Sequence, residues 1–195
     1  MKAGPDSLPG ESSSASGNLP VVRAVCLVGF MGAGKSSVGA ALSRQLGWPF
    51  VDLDDRIQSR EGRTVEEIFR QSGEAGFRRA EHVALRELLL DFASSSVVIA
   101  LGGGAFVQAE NAALLKGSGI AAVFLDAPVD ELFRRCQQQR LDRPLRRDLE
   151  QFRQLHEVRS AGYLVAGLRI DTSGKDVDTV AAEVASSLKS RGAGK

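Results

Sequence analysis

The sequence predicts a three-layer α/β/α sandwich around a five-stranded parallel sheet. Three observations carry that expectation. Short apolar runs at 23–28, 49–54, 97–101, 121–125 and 168–171 alternate with segments of helical period. Several of these runs are rich in β-branched residues, as strands covered on both faces are. Alternation of this kind argues for βα units and a parallel sheet. The first run also leads straight into Gly29-Phe30-Met31-Gly32-Ala33-Gly34-Lys35-Ser36, which reads G-x-x-x-x-G-K-S.

That stretch is a P-loop, the loop that wraps the phosphates of ATP or GTP. Glycines let successive backbone N–H groups turn inward and form an anion nest. A helix opening at Lys35 aims its positive end at the same phosphates. Lys35 supplies a point charge and the Ser36 hydroxyl a ligand for Mg²⁺. Gly32, Ala33, Gly34, Lys35, Ser36 and Ser37 are therefore the candidate nucleotide-binding residues. The context fits, because Val38, Ala41, Leu42 and Leu46 fall at helical spacing after the loop and Gly47 stops the helix.

The chain has 195 residues, 43% apolar and 25% charged, with a formal net charge of +1. That size suits one domain with a full core, placed at 21–190 between a Gly/Ser/Pro-rich, disordered tail at 1–20 and a frayed end at 191–195. A near-zero charge offers no global field for nucleic acid or an anionic membrane. No apolar run approaches the ~20 residues of a membrane span, and the tail lacks a signal-peptide core. Cys26 and Cys136 lie far apart, as in a reducing compartment, and His82 and His156 have no metal-ligand spacing. A cytoplasmic monomer is the expectation.

The remaining elements follow in order. Pro49 to Asp54 reads as the second strand, with Phe50, Asp52 and Asp54 on one side. Carboxylates ending a parallel strand sit where α/β sheets bind ligands. Capping of the next helix, Arg56 to Arg60, is the other reading for Asp54 or Asp55. Thr64-Val65-Glu66-Glu67 is a capping box, and Gly73 breaks the short helix it opens. A longer helix from about Glu74 to Phe92 carries the stripe Phe77, Ala80, Ala84, Leu85, Leu88 and Phe92. On it Arg78 is either forked between Glu74 and Glu81 or part of a solvated charged face.

The third strand ends in Gly102-Gly103-Gly104, which suits close approach of backbone to a ligand or simply a flexible turn. A helix near Ala109–Lys116 and the strand Ala121–Leu125 come next. Pro128 opens a helix with Asp130 and Glu131 near its positive end. Arg140 to Arg147 holds four arginines around Pro144. It reads either as a lid over phosphates, at about 140–148, or as a basic surface loop. A helix from Asp148 to about Tyr163 carries Arg159. After the strand Leu168–Asp171, Asp176 caps a last helix with the stripe Val177, Val180, Val184 and Leu188.

Taken together, these residues resemble the shikimate kinase family over about 23–190. The resemblance rests on G-F-M-G-A-G-K-S-S-V-G (29–39), D-L-D (52–54), G-R-T-V-E-E-I-F (62–69) and G-E-A-G-F-R-R-A-E (73–81). L-G-G-G-A (101–105), R-P-L (143–145) and R-x-x-x-Y (159–163) complete it. It implies a P-loop kinase fold like that of nucleoside monophosphate kinases, with sheet order 2-3-1-4-5 and a closing lid. It also implies ATP-dependent phosphorylation of shikimate to shikimate 3-phosphate, in aromatic amino acid biosynthesis. By the same resemblance Lys35 and Ser36 serve the ATP phosphates and Mg²⁺, and Asp52 reaches the metal. Asp54 binds substrate hydroxyls. Arg78 and Arg159 bind the substrate carboxylate beside Gly102, Gly103 and Gly104, and Arg143 comes from the lid onto the phosphates. Asp171-Thr172-Ser173 lies where the family wraps adenine.

Three positions depart from the family pattern: Leu53 between the aspartates, Ala161 two residues after Arg159, and Leu164 after the tyrosine. From the residues alone, two other readings stand. One is another small-molecule kinase of this architecture, such as a gluconate or nucleoside monophosphate kinase. The other is a nucleotide-binding module that transfers nothing.

Overall fold

A parallel strand needs neighbours at its edges and cover on both faces, and the five apolar runs meet both needs. A computed structural model describes residues 23–138 and 148–192. The tail at 1–20, the expected lid over 140–147 with Arg143, and residues 193–195 lie outside the described residues. The strands are β1 (Ala24–Val28), β2 (Phe50–Asp52), β3 (Val97–Ala100), β4 (Ala121–Asp126) and β5 (Leu168–Asp171). They pair in parallel in the order β2-β3-β1-β4-β5, as the family resemblance implies. The central strands β1 and β3 are almost wholly buried, which accounts for their unbroken apolar spelling.

Right-handed crossovers then assign the helices to faces. The step from β1 to β2 runs one way along the sheet, and every later step runs the other way. So α1 (Lys35–Leu46) lies on one face, where α7 (Val177–Gly192) packs against it. The opposite face carries α2 (Leu53–Glu61), α3 (Val65–Asp91), α4 (Ala109–Gly117), α5 (Val129–Gln138) and α6 (Leu149–Tyr163). This makes the three layers. The core runs from Val25, Leu27 and Ile99 in the sheet to Leu42, Leu85 and Val184 on the helices.

Local chemistry sets the boundaries. Gly47 ends α1 in the left-handed region at φ 66°. Thr64 and Glu67 form the reciprocal capping box at the start of α3. Gly73, with φ 65° and ψ −176°, kinks α3 where a break was expected. Asp148 caps α6 through the Glu150 and Gln151 N–H groups, so it belongs to that helix.

Some expectations are corrected. The second strand stops at Asp52, because Leu53 already opens α2. Val177 is 41% exposed, whereas Val180, Val184 and Leu188 are buried, so the α7 stripe begins one turn later. Of the end expected to fray at 191–195, Arg191 and Gly192 still belong to α7.

Candidate active site

The phosphate side is built almost entirely from one stretch of backbone. Gly29, Gly32 and Gly34 hold φ values of 143°, 83° and 88°, which side chains rarely adopt. Space adds a second reason. A Cβ at Gly29 would lie 2.5 Å from the Leu125 carbonyl oxygen, and one at Gly32 would lie 2.4 Å from that of Leu132. The loop therefore rests directly on the end of β4 and on α5. Lys35 Nζ donates to the Gly29 and Phe30 carbonyls at 2.9 and 3.0 Å, which folds the ammonium back over the loop. Ser36 Oγ donates to Asp52 Oδ2 at 2.6 Å, and Ser37 is exposed beside it at the helix start.

Asp52 also caps α2, its Oδ1 accepting the Asp54 N–H at 3.0 Å. The capping role weighed for Asp54 and Asp55 therefore falls to Asp52. Asp54 does not end the strand; it lies in the first turn of α2. Its carboxylate nonetheless meets the glycine turn, since a Cβ at Gly102 would sit 2.7 Å from Asp54 Oδ1. A helical turn has brought Asp54 to the place where a strand end was expected to put it.

The acceptor side is assembled from α2, α3, the turn after β3, and α6. Arg78 is forked: Nη1 donates to both Glu81 oxygens at 3.1 and 2.9 Å, and Nη2 to Glu74 at 3.2 Å. The ion-pair reading of Arg78 holds, and the solvated-face reading does not. Glu81 is 1% exposed. Burial pushes its carboxyl up, and the Arg78 charge and hydrogen bonds oppose that. Burial works against the Arg78 charge too, but Glu81 and Glu74 outweigh it and keep the guanidinium cationic.

The three glycines are a close-approach device. A Cβ at Gly104 would meet Arg78 Nη2 at 2.5 Å. One at Gly103 would lie 3.6 Å from the Met31 nitrogen and 3.9 Å from Arg159 Nη1. A single turn thus touches the P-loop, Asp54, Arg78 and Arg159. A cleft of about 110 Å³ joins the P-loop, the two aspartates and the glycine turn, lined by Lys35, Ser36, Asp52, Asp54, Gly102 and Gly103; Arg78 and Arg159 do not line it. A larger groove of about 1030 Å³ lies at the opposite end of the strands, between α3 and α4. Its walls include Leu89, Leu90, Phe92 and Leu114 and hold none of the candidate residues, so size does not locate the chemistry here.

Asp171-Thr172-Ser173 ends β5. Arg135 anchors it, donating to Thr172 Oγ1 at 2.9 Å and to the Thr172 carbonyl at 2.6 Å. Sequence reasoning did not assign Arg135. It also left unread the burial of Glu81, whose signal was its place among Phe77, Ala84 and Leu88 on an apolar stripe. Both cysteines are buried thiols outside any disulfide. Among the described residues no helix is long and apolar enough to cross a membrane, and no cluster of three or more His, Cys, Asp or Glu could hold a metal alone.

Comparison with known proteins agrees with this geometry. The family described as "Shikimate kinase" matches residues 31–189. A shikimate kinase of Geobacter metallireducens is 42% identical over 173 residues, which cover 87% of this chain and 94% of the relative. The solved shikimate kinase of Acinetobacter baumannii in complex with shikimate superposes with a TM-score of 0.79 at 35% identity, over 87% of this chain and 94% of its own. That of Aquifex aeolicus gives a TM-score of 0.75 at 34% identity, over 88% of this chain and 99% of its own. These relatives favour this family over a gluconate or nucleotide kinase of the same architecture. With the P-loop, the forked Arg78 and the glycine turn in place, this chain belongs to the shikimate kinase family.

Proposed function

We propose that this chain transfers the γ-phosphoryl group of ATP to a hydroxyl of shikimate, giving shikimate 3-phosphate and ADP. The observation that carries the reading is the glycine turn. Asp54 lies beside Gly102, Arg78 beside Gly104, and the P-loop backbone and Arg159 both lie beside Gly103. An anionic acceptor gripped by the arginines is then held beside the phosphate to be transferred.

Each residue has a role that follows from its chemistry. The loop N–H groups and Lys35 bind the β- and γ-phosphates and stabilise charge as the group transfers. Ser36 Oγ and Asp52 Oδ2, 2.6 Å apart, are hard oxygen donors of the kind Mg²⁺ takes alongside phosphate oxygens, so they fit that ion. When bound, Mg²⁺ neutralises charge on the phosphate oxygens. Arg78 and Arg159 grip the carboxylate of the acceptor, and Glu81 holds Arg78 in place. Asp54 orients the attacking hydroxyl and takes its proton. A bond forms from that oxygen to the γ-phosphorus, and the bond to the β–γ bridging oxygen breaks, leaving ADP. Arg143, outside the described residues, completes the reading as a cation over the phosphates. The enzyme acts on two small molecules, as a cytoplasmic monomer.

The test is ATP-dependent product formation across a panel of shikimate, gluconate and nucleoside monophosphates, with the phosphorylated position assigned by NMR. Turnover of shikimate alone, at its 3-hydroxyl, is the expected result. ATP binding with no phosphorylated product from any acceptor would overturn the reading and leave a nucleotide-binding module.

A further inference from the structure

We propose that Tyr163 is a positioning residue for the acceptor: its phenol holds the backbone carbonyl of Gly103 and so fixes the glycine turn beside which the Arg159 guanidinium lies. The proposal rests on the reading of this pocket as the shikimate site.

Tyr163 is the only tyrosine in the chain, and it is 0% exposed. It ends α6, one turn after Arg159, so both side chains lie on the same face. The phenol O–H donates to the Gly103 carbonyl. Arg159 lies at the same glycine, its Nη1 3.9 Å from where a Cβ on Gly103 would be. A phenol has one O–H to donate, and this contact uses it. The ring is held from behind by stacking on Phe124 of β4, with centroids 5.3 Å apart and planes at 27°. The helix end cannot slide either, because a Cβ at Gly162 would lie 2.6 Å from Val107 Cγ1.

Ala161 and Leu164, where the sequence departs from the family pattern, are both exposed, Leu164 to 62%. Neither therefore braces the guanidinium. Burial is the main cause that pushes the phenol up to about 12, with the nearby Arg159 and Arg78 charges pulling it back. The group therefore remains a donor at any pH at which the protein works.

The experiment compares Tyr163→Phe with the parent. Phenylalanine keeps the stacking on Phe124 and removes only the hydroxyl. We expect the KM for shikimate to rise about three- to tenfold, the loss of one hydrogen bond. The KM for ATP should stay within about twofold, the scatter expected of a site the phenol does not touch. A tyrosine that merely fills space would leave both KM values alone, or move both together with a fall in Tm, and either result overturns the proposal. A second measurement avoids any change of shape. Replacing this sole tyrosine with 3,5-difluorotyrosine makes the phenol more acidic. The other charged groups facing the pocket are Arg159 on α6, Arg78 and Glu81 on α3, and Asp54 on α2. The KM for shikimate should then climb as the fluorinated phenol ionises, at a lower pH than in the parent, with the KM for ATP flat. A pH profile identical to the parent's overturns the link. A parent that fails to phosphorylate shikimate at all would sink the site reading first, a different failure from an unaffected Tyr163 variant.

Discussion

The two halves of the cleft solve the same problem in opposite ways. On the proposed function, each holds an anion in a defined place. The phosphate half does it with backbone from one eight-residue stretch, Gly29 to Ser36, whose three positive-φ glycines aim the main chain inward. The acceptor half does it with side chains from three separate places, Asp54, Arg78 and Arg159, around the turn after β3. There glycine serves the reverse purpose, clearing space so that Asp54 and Arg78 can approach the backbone. The comparison teaches that the first half depends on local conformation. The second depends on a network in which each charge is positioned by another group, Arg78 by Glu81 above all.

Four substitutions probe that difference, from the largest expected effect to the smallest. Lys35→Ala should leave a folded protein whose turnover falls by about 10²–10³, the usual loss for one preorganised charge contact at the transferring group. Single-turnover kinetics would show it, and near-normal turnover would remove Lys35 from the chemistry. Asp54→Asn should cost roughly a hundredfold in kcat with shikimate, at unchanged Tm and ATP affinity, if its carboxylate takes the proton. Because Asp52 already caps α2, a loss of Tm in this variant would instead mark Asp54 as structural.

Gly104→Ala places a methyl 2.5 Å from Arg78 Nη2 and 2.7 Å from Nη1, the nitrogen bonded to buried Glu81. The guanidinium has to shift. The KM for shikimate should rise about tenfold, the equivalent of one charge-assisted hydrogen bond, while the KM for ATP holds. Equal movement of both constants would mean that the turn serves the P-loop as much as the acceptor. Thr64→Ala should destabilise the fold by about 1 kcal/mol through loss of the α3 cap and change neither KM. Chemical denaturation checks the first part. Altered kinetics in this variant would show that the acceptor half responds to the far end of α3.

The same contrast explains what could be read from the sequence. The P-loop, the sheet order and the α3 capping box were legible because each is a local pattern or comes with the family resemblance. The end of β2 was not. A period of two cannot show that Asp52 will turn its side chain onto the Asp54 N–H and start a helix one residue later. The pairing of Arg78 with Glu81 could be read from helical spacing, but its depth of burial could not, because that depends on elements far along the chain. Tyr163 reaches Gly103 across 60 residues, and nothing local marks the contact. Contacts of this kind come from topology, which places α6 against the turn after β3.

Substituting Arg78 by lysine tests the central claim, that the two halves are separate devices. Lysine keeps the charge and gives up the planar fork that matches a carboxylate. The account predicts that Arg78→Lys raises the KM for shikimate by roughly ten- to a hundredfold, as the loss of charge-assisted hydrogen bonds requires. The KM for ATP should stay close to that of the parent. A rise in the KM for ATP alone, or an equal rise in both, would contradict it: Arg78 would not be the acceptor's anchor, and the two halves would not be separable.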